Sequence, residues 1–233
     1  MFVMYMTLKN LFNKYYSDKA QIMHDSTVLG CPYQESRNKP IVHTCGHCFD
    51  VSYSKILDSK TSTIFNFLEI GIGLGAHFDI RVSTFPGYKQ GASLMAWNEY
   101  FPNATIYGWD VFPCNPIDNP KIKTHVLDAT DEEKVNNFFQ VNPITMDLIV
   151  DDGSHQLVDQ VKSFMILYNK LSDKGIYIIE DILDENIAKF KTLECFPENF
   201  VENIIHKCFR VSYHDTKEIS GLSDDFIVCF EKV

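Results

Sequence analysis

The sequence predicts an α/β domain built on a mostly parallel sheet, and three observations lead there. Short continuous apolar runs recur from residue 64 onward, stretches of helical period separate most of them, and a glycine cluster directly follows the first run. Continuous apolar runs are what strands covered on both faces show, and their alternation with helices implies βαβ crossovers.

The elements follow in chain order. Residues 1–60 differ from the rest: they mix Met, Tyr, Asn, Lys and His, with a helical patch at 8–16 and a turn-rich middle at 31–40. They are expected to form an N-terminal extension that serves as a substrate lid, with the main domain spanning 61–233. Strands are expected at 64–70, 105–109, 122–127, 146–150 and 175–179, and helices at 93–101, 132–140 and 158–171. After Glu180 come a helical segment at 183–190 and two β-rich stretches, 201–213 and 225–231. Trp97, Tyr100 and Phe101 recur at helical spacing and are expected to pack on the sheet. Trp109 fits either burial or contact with a ligand. His206 and His214, within the C-terminal strands, are expected to be structural or solvated, and Lys121, Lys123 and Lys134 to lie on the surface.

Composition limits the function. The 233 residues carry 31 acids against 21 Lys and Arg, a net charge of −10. That surplus argues against a nucleic-acid partner, whose affinity rests on cation–phosphate contacts. No apolar run approaches the ~20 residues of a membrane-spanning helix, and no membrane partner is expected. The first residues lack the basic start of a signal peptide. Seven cysteines, an odd number, argue against a disulfide framework. The expectation is a reduced, cytoplasmic protein.

The strand FNFLEI runs into Gly71-Ile72-Gly73-Leu74-Gly75. Glycines there let the backbone pass close to a ligand at the carboxyl edge of the sheet. The loop is equally readable as a merely tight turn, and with Ala76 it also satisfies the looser dinucleotide pattern of NAD enzymes. Two acids bear on the choice. Asp110 closes the second strand, where a carboxylate can accept from both ribose hydroxyls. Asp128 closes the third, near the place of an adenine amino group. Together with Glu69, they favour an adenosine-containing cofactor, and the Glu69-x-Gly71-x-Gly73-x-Gly75 spacing looks more like an S-adenosylmethionine loop than an NAD one. The Tyr-x-x-x-Lys spacing of a dehydrogenase occurs only at Tyr5/Lys9, Tyr15/Lys19 and Tyr213/Lys217, none on a helix following the loop.

The fourth strand ends in Asp151-Asp152-Gly153-Ser154-His155 and the fifth in Glu180-Asp181. Parallel neighbours bring their carboxyl ends to one edge, so Asp152, Glu180 and Asp181 are expected in one crevice. Three unpaired carboxylates would shift one another's pKa values strongly. A divalent cation relieves that, and all-oxygen ligation suits Mg²⁺. His155 could then take a proton from a substrate hydroxyl. The alternative is that Asp151 or Asp152 caps the next helix and His155 is solvated. A zinc site from His43, Cys45, His47 and Cys48, with Cys31 upstream, is a further option; reduced cysteines in a lid are the other.

The segment from Glu69 to Asp181, about half the chain, resembles the Mg²⁺-dependent sugar O-methyltransferases of the macrocin and mycinamicin type. EIGIG (69–73), GASLMAWNEYFPNATIYGWD (91–110), DLIVDDGSH (147–155) and GIYIIED (175–181) carry the resemblance. Asp18-Lys19, His47 and Tyr53 look like a stretched form of the family's Asp-Lys…His-x-Tyr segment, interrupted here by residues 20–46.

The resemblance implies a Rossmann-like class I methyltransferase fold: a seven-stranded sheet with helices on both faces, order 3-2-1-4-5-7-6 and the last strand antiparallel. It implies S-adenosylmethionine and Mg²⁺ as cofactors and, as acceptor, a sugar hydroxyl on a nucleotide sugar, a glycan or a glycosylated metabolite. The implied metal ligands are Asp152, Glu180 and Asp181, with His155 as general base. Ser93, in the matched 91–110 segment, and Asp151 complete the cofactor set of Glu69, Gly71, Gly73, Asp110 and Asp128. A homo-oligomer is compatible with these features. A catechol-type O-methyltransferase is the nearest alternative and an NAD-binding oxidoreductase a more distant one.

Overall fold

The computed structural model describes residues 6–25, 42–73 and 88–233, with backbone only at 22–25 and 42–45. Helix α1 (Leu8–Tyr15) opens the described chain, with the Thr7 side chain accepting from the Asn10 amide at 3.3 Å. Strands β1 (Ile22–Asp25) and β2 (Val42–Cys45) pair antiparallel in a separate two-stranded sheet. Helix α2 (Phe49–Leu57) leads to β3 (Asn66–Ile70), the first strand of the main sheet.

Then follow α3 (Ala92–Tyr100), β4 (Thr105–Asp110), β5 (Ile122–Val126), α4 (Glu132–Val141) and β6 (Met146–Asp151). Asp131 caps α4 by accepting from the Lys134 amide, and Glu132 and Glu133 in the first turn complement the helix dipole. The chain continues through α5 (Leu157–Leu167), β7 (Leu171–Ile179), α6 (Asp184–Thr192), β8 (Phe209–Asp215) and β9 (Phe226–Lys232).

The seven strands lie in the order β5-β4-β3-β6-β7-β9-β8. Numbered within this sheet, that is 3-2-1-4-5-7-6. β3 through β7 run parallel, and β9 is antiparallel to both of its neighbours. This is the topology the resemblance implied.

The sheet is covered on both faces because successive side chains of each strand point to opposite sides. Phe67 and Leu148 enter one core with α1, α2 and α3; Leu68 and Ile149 enter the other with α4, α5 and α6. On the first face Trp97 meets Phe12, Tyr53 and Phe67 edge-on, with ring centroids 5.0, 5.0 and 5.2 Å away. On the second, Phe164 stacks on Phe230 at 4.2 Å. α1 and α2, from the expected extension, are thus continuous with the core of the main domain. Trp97 and Phe101 are fully buried, and Tyr100 reaches outward to donate to Asp58. Trp109 is buried against Phe138 at 4.9 Å.

Two local expectations are corrected. The stretch 201–213 is not β throughout: residues 198–208 are helical and only Phe209–Asp215 forms a strand. Phe200, Val201, Ile204 and Cys208 recur with helical period and pack on the core, and the expected strand pattern overlooked that repeat. His206 therefore lies on a helical turn, exposed beside Glu202 at 3.4 Å. The fifth strand also starts earlier than residue 175. Its pairing with β6 shifts between Met146↔Leu171 and Leu148↔Ile176, a bulge that absorbs the polar Ser172-Asp173-Lys174.

Candidate active site

A cavity of about 810 Å³ opens at the carboxyl ends of the central strands, where open α/β sheets bind ligands. Gly71, Gly73, Ser93, Asp110, Asp128, Asp151, Asp152, His155 and Asp181 all line it. Of the residues expected at the site, Glu69 and Glu180 alone stand behind the wall.

The glycine turn makes one side of this cavity. Gly71 has φ +77°, and a Cβ there would sit 1.9 Å from the Asp152 carbonyl oxygen. Only glycine lets the end of β3 cross the end of β6 at this distance. Gly71→Ala is therefore expected to cost about 3 kcal/mol or more in denaturant unfolding, since the left-handed backbone and the clash both oppose it. An unchanged unfolding midpoint would refute this reading of the crossing. Gly75 and Ala76 lie outside the described residues.

Asp110 ties the turn to the next strand. Its carboxylate accepts from the amides of Ile72 at 3.0 Å and Phe112 at 2.9 Å. Asp128 lies two residues past the end of β5 rather than on it, in a turn closed by the Thr130 amide and hydroxyl, both at 2.8 Å. Both acids remain in the cavity wall. Ser93 does not act alone: its hydroxyl donates to Glu69 at 2.7 Å, and the Trp97 indole donates to the same carboxylate at 3.3 Å. Glu69 is fully buried, so it braces the wall from behind rather than facing a ligand directly.

The element that organises the interior is Lys19. Its ammonium, almost wholly buried, lies 2.7 Å from Asp152 Oδ2 and 3.2 Å from Glu69 Oε1, and it also donates to Glu180. Burial opposes its charge, but Asp152, Glu180 and Glu69 outweigh that and hold its pKa well above the usual lysine value. Glu180 also accepts from the Tyr53 hydroxyl, and its backbone carbonyl accepts from Gln160 at 3.0 Å. Glu180 thus faces inward and Asp181 faces the cavity. Neighbouring residues leaving a strand alternate sides, so Asp152 meets Glu180 through Lys19 on the inner side and Asp181 through His155 on the cavity side.

Asp152 and Asp181 do meet, around His155. The imidazole Nε2 is 3.1 Å from Asp152 Oδ1 and 3.2 Å from Asp181 Oδ2. Each of the three offers a ligand atom within 4.8 Å of the others. Asp181 Oδ1 is buried with no hydrogen-bond partner. Two carboxylates meeting at one point of the cavity wall, with an imidazole between them, fit a divalent cation.

The protonation states are consistent with that fit. Burial pushes Glu180 up to about 8 and Asp151 up to about 7. Burial also holds Asp181 well above the carboxylate range. Asp152 goes the other way: burial would raise it, but Lys19 and the bond with His155 hold it well below the usual value. Burial works against the His155 charge, yet Asp152 and Asp181 prevail and push its pKa up to about 9. Without a cation, then, His155 carries its proton at neutral pH.

A cation binding here must displace protons from Asp181 and His155. Its affinity is expected to rise from about pH 6 to about pH 9, by roughly tenfold per pH unit for each proton displaced. Calorimetric Mg²⁺ titrations across that range would show it, and a pH-independent affinity would refute it.

Several site residues carried no assigned role in the sequence. Lys19 and Tyr53 belong to a motif resemblance only, His47 to that motif and to the candidate zinc cluster, and Tyr177, which donates to Asp151 at 2.8 Å, is an unremarked strand residue. Asp224-Asp225 was a readable signal, a paired acid before the last apolar run as in Asp151-Asp152. Of the candidate zinc cluster, Cys31 lies outside the described residues, as do the side chains of His43 and Cys45. Cys48 is buried as a free thiol, pushed up to about 11 by burial. The dehydrogenase spacing finds no support at Tyr15/Lys19, where Tyr15 donates to Glu99 and Lys19 serves the buried acids.

The sheet order is that of the class I methyltransferase fold. The chain superposes on the MycE methyltransferase of the mycinamycin biosynthetic pathway, solved with Mg, S-adenosylhomocysteine and mycinamycin VI, with a TM-score of 0.66 and 20% identity, over 98% of this chain and 55% of that one. In sequence the chain is 30% identical over 141 residues to the mycinamicin VI 2''-O-methyltransferase of Micromonospora griseorubida, covering 58% of this chain and 32% of that protein. It is 26% identical over 160 residues to a tetracenomycin rhamnosyl 2'-O-methyltransferase of Streptomyces olivaceus, covering 66% of this chain and 37% of that protein. No protein-family model matches the sequence. The chain spans about a third of the length of these curated relatives. Among the described residues no helix is long and apolar enough to cross a membrane.

Proposed function

We propose that this chain is an S-adenosylmethionine- and Mg²⁺-dependent O-methyltransferase whose acceptor is a sugar hydroxyl. The observation that carries the proposal is the placement of Asp152 and Asp181 around His155, in the same cavity wall as the Gly71–Gly73 turn and Asp110. A methyl donor and a chelated acceptor must lie side by side for an in-line displacement, with the acceptor oxygen near 3 Å from the methyl carbon.

Gly71, Gly73, Ser93, Asp110, Asp128 and Asp151 would line the adenosyl side, with Glu69 bracing Ser93 from behind. Asp152 and Asp181 would hold Mg²⁺, with Glu180 behind them. Bound there, the ion would lower the pKa of a coordinated hydroxyl. Once the two carboxylates are engaged, His155 loses the charges that keep it protonated, and Nε2 becomes free to take the hydroxyl proton. The new C–O bond then forms as the C–S bond breaks, and the thioether leaves. The names of the relatives support a glycosylated small molecule as acceptor, and both nucleotide-linked and glycosidic sugars meet that description.

The test is methyl transfer from S-adenosylmethionine to a panel of nucleotide sugars and glycosides, read by mass spectrometry, with Mg²⁺ or with EDTA. The expected result is a product heavier by one methylene unit, lost with EDTA. Full activity in EDTA, or no thermal stabilisation by S-adenosylhomocysteine, would overturn the proposal.

A further inference from the structure

Asp181 has two faces. Its Oδ2 lies 3.2 Å from His155 Nε2, and its Oδ1 lies 3.5 Å from Nδ1 of a different histidine, His47. His47 comes from the segment just ahead of α2, and its ring is held flat against Phe49, with centroids 4.5 Å apart and planes 8° apart. Its backbone amide donates to the Asp18 carbonyl at 2.6 Å, which anchors the loop. Asp224 completes a second group: His47, Asp181 and Asp224 each present a ligand atom within 4.8 Å of the others.

The atoms in this second group are left without partners. His47 Nδ1, Asp181 Oδ1 and Asp225 Oδ1 are all buried, and none makes a hydrogen bond. Asp181 is 4% exposed and Asp225 fully buried. The 3.5 and 3.8 Å separations from His47 Nδ1 are too long for N–H···O bonds. Asp225 spends its other oxygen on the Cys48 amide at 3.0 Å, so Oδ1 is its remaining acceptor. Buried acceptors of this kind are costly to leave empty. One imidazole nitrogen facing two or three carboxylate oxygens is a donor set for a divalent first-row ion such as Mn²⁺ or Zn²⁺.

We propose that His47 and Asp224, with Asp181 as a shared bridging carboxylate, form a second cation position beside the one at Asp152 and Asp181. The inference rests on the reading that Asp152 and Asp181 hold a cation. Two ions bridged by one carboxylate, roughly 3.5–4 Å apart, are a recurring arrangement, and each ion can hold one of two neighbouring oxygens. In this chain the second ion would sit on the side of α2 and the β8–β9 loop, and so orient a second substrate oxygen.

Mn²⁺ is the probe. The metal-stripped full chain is titrated with Mn²⁺, free ion is read by electron paramagnetic resonance, and bound ion is counted after gel filtration. The expected result is about two ions per chain with a spin-coupled spectrum. His47→Ala and, separately, Asp224→Asn each reduce this to one ion with an uncoupled six-line spectrum. Asp224→Asn is the near-isosteric control for folding, and circular dichroism of both variants should match the parent. One ion in the parent, lost in Asp152→Asn but kept in His47→Ala, overturns the second position and leaves the first intact. No bound Mn²⁺ at all overturns both. Two ions persisting in both His47→Ala and Asp224→Asn would also overturn the assignment.

Discussion

Replacing Lys19 with methionine is expected to cost about 3–5 kcal/mol of folding stability, the scale for removing one partner of a buried ion pair. Lys19 is the cation that the structure places among Asp152, Glu180 and Glu69. Methionine fills a similar volume without the charge, so the loss is electrostatic rather than a cavity effect. Of the three acids only Asp152 would keep a counter-charge, from His155, and Glu180 and Glu69 would be left with none beside them. Protons can relieve them: carboxyls raised by burial bind protons more tightly in the folded state. The variant is therefore expected to be closest to the parent near pH 6 and furthest from it near pH 8, where Glu180 gives up its proton. Urea unfolding at both values, without added metal, measures this. A loss under ~1 kcal/mol at pH 8, or one that grows on acidification, would refute the account.

Asp152→Asn is expected to lower methyl transfer by about 10³-fold or more, the scale for losing a positioned acid–base group. Asp152 touches both Lys19 and His155, so the single change removes a proposed cation ligand and the strongest support for the imidazolium. Adenosyl binding should change less than about threefold, because Gly71, Asp110 and Asp128 reach the cavity from other strands. Calorimetry with S-adenosylhomocysteine alongside turnover separates the two effects. Loss of both together would mean that the substitution disturbs the β3–β6 crossing rather than the chemistry.

The strands and most helices were legible because their signals are local. A run such as Met146–Asp151 is apolar over consecutive residues, and buried parallel strands need no more than that. Asp110, Asp128, Asp152 and His155 were legible for a related reason: residues closing parallel strands share one edge whatever the loops do. The helical turn at 198–208 was misread because an apolar repeat of helical period resembles a strand when scanned as a block. Lys19 could not be placed from spacing at all, being 133 and 161 residues from Asp152 and Glu180.

The sequence by itself determined the sheet, its order through family resemblance, and the edge on which the acids gather. Only the tertiary structure decided how those acids divide. Glu180 turns inward to Lys19 and Tyr53 while Asp181, one residue on, turns outward between His155 and His47. The physical reason is that strand direction sets which edge a closing residue reaches, whereas its partner depends on side chains brought in by α1, α2 and the segments beside them from far along the chain. Those contacts are long-range, and the burial that gives them their strength exists only once both faces of the sheet are covered.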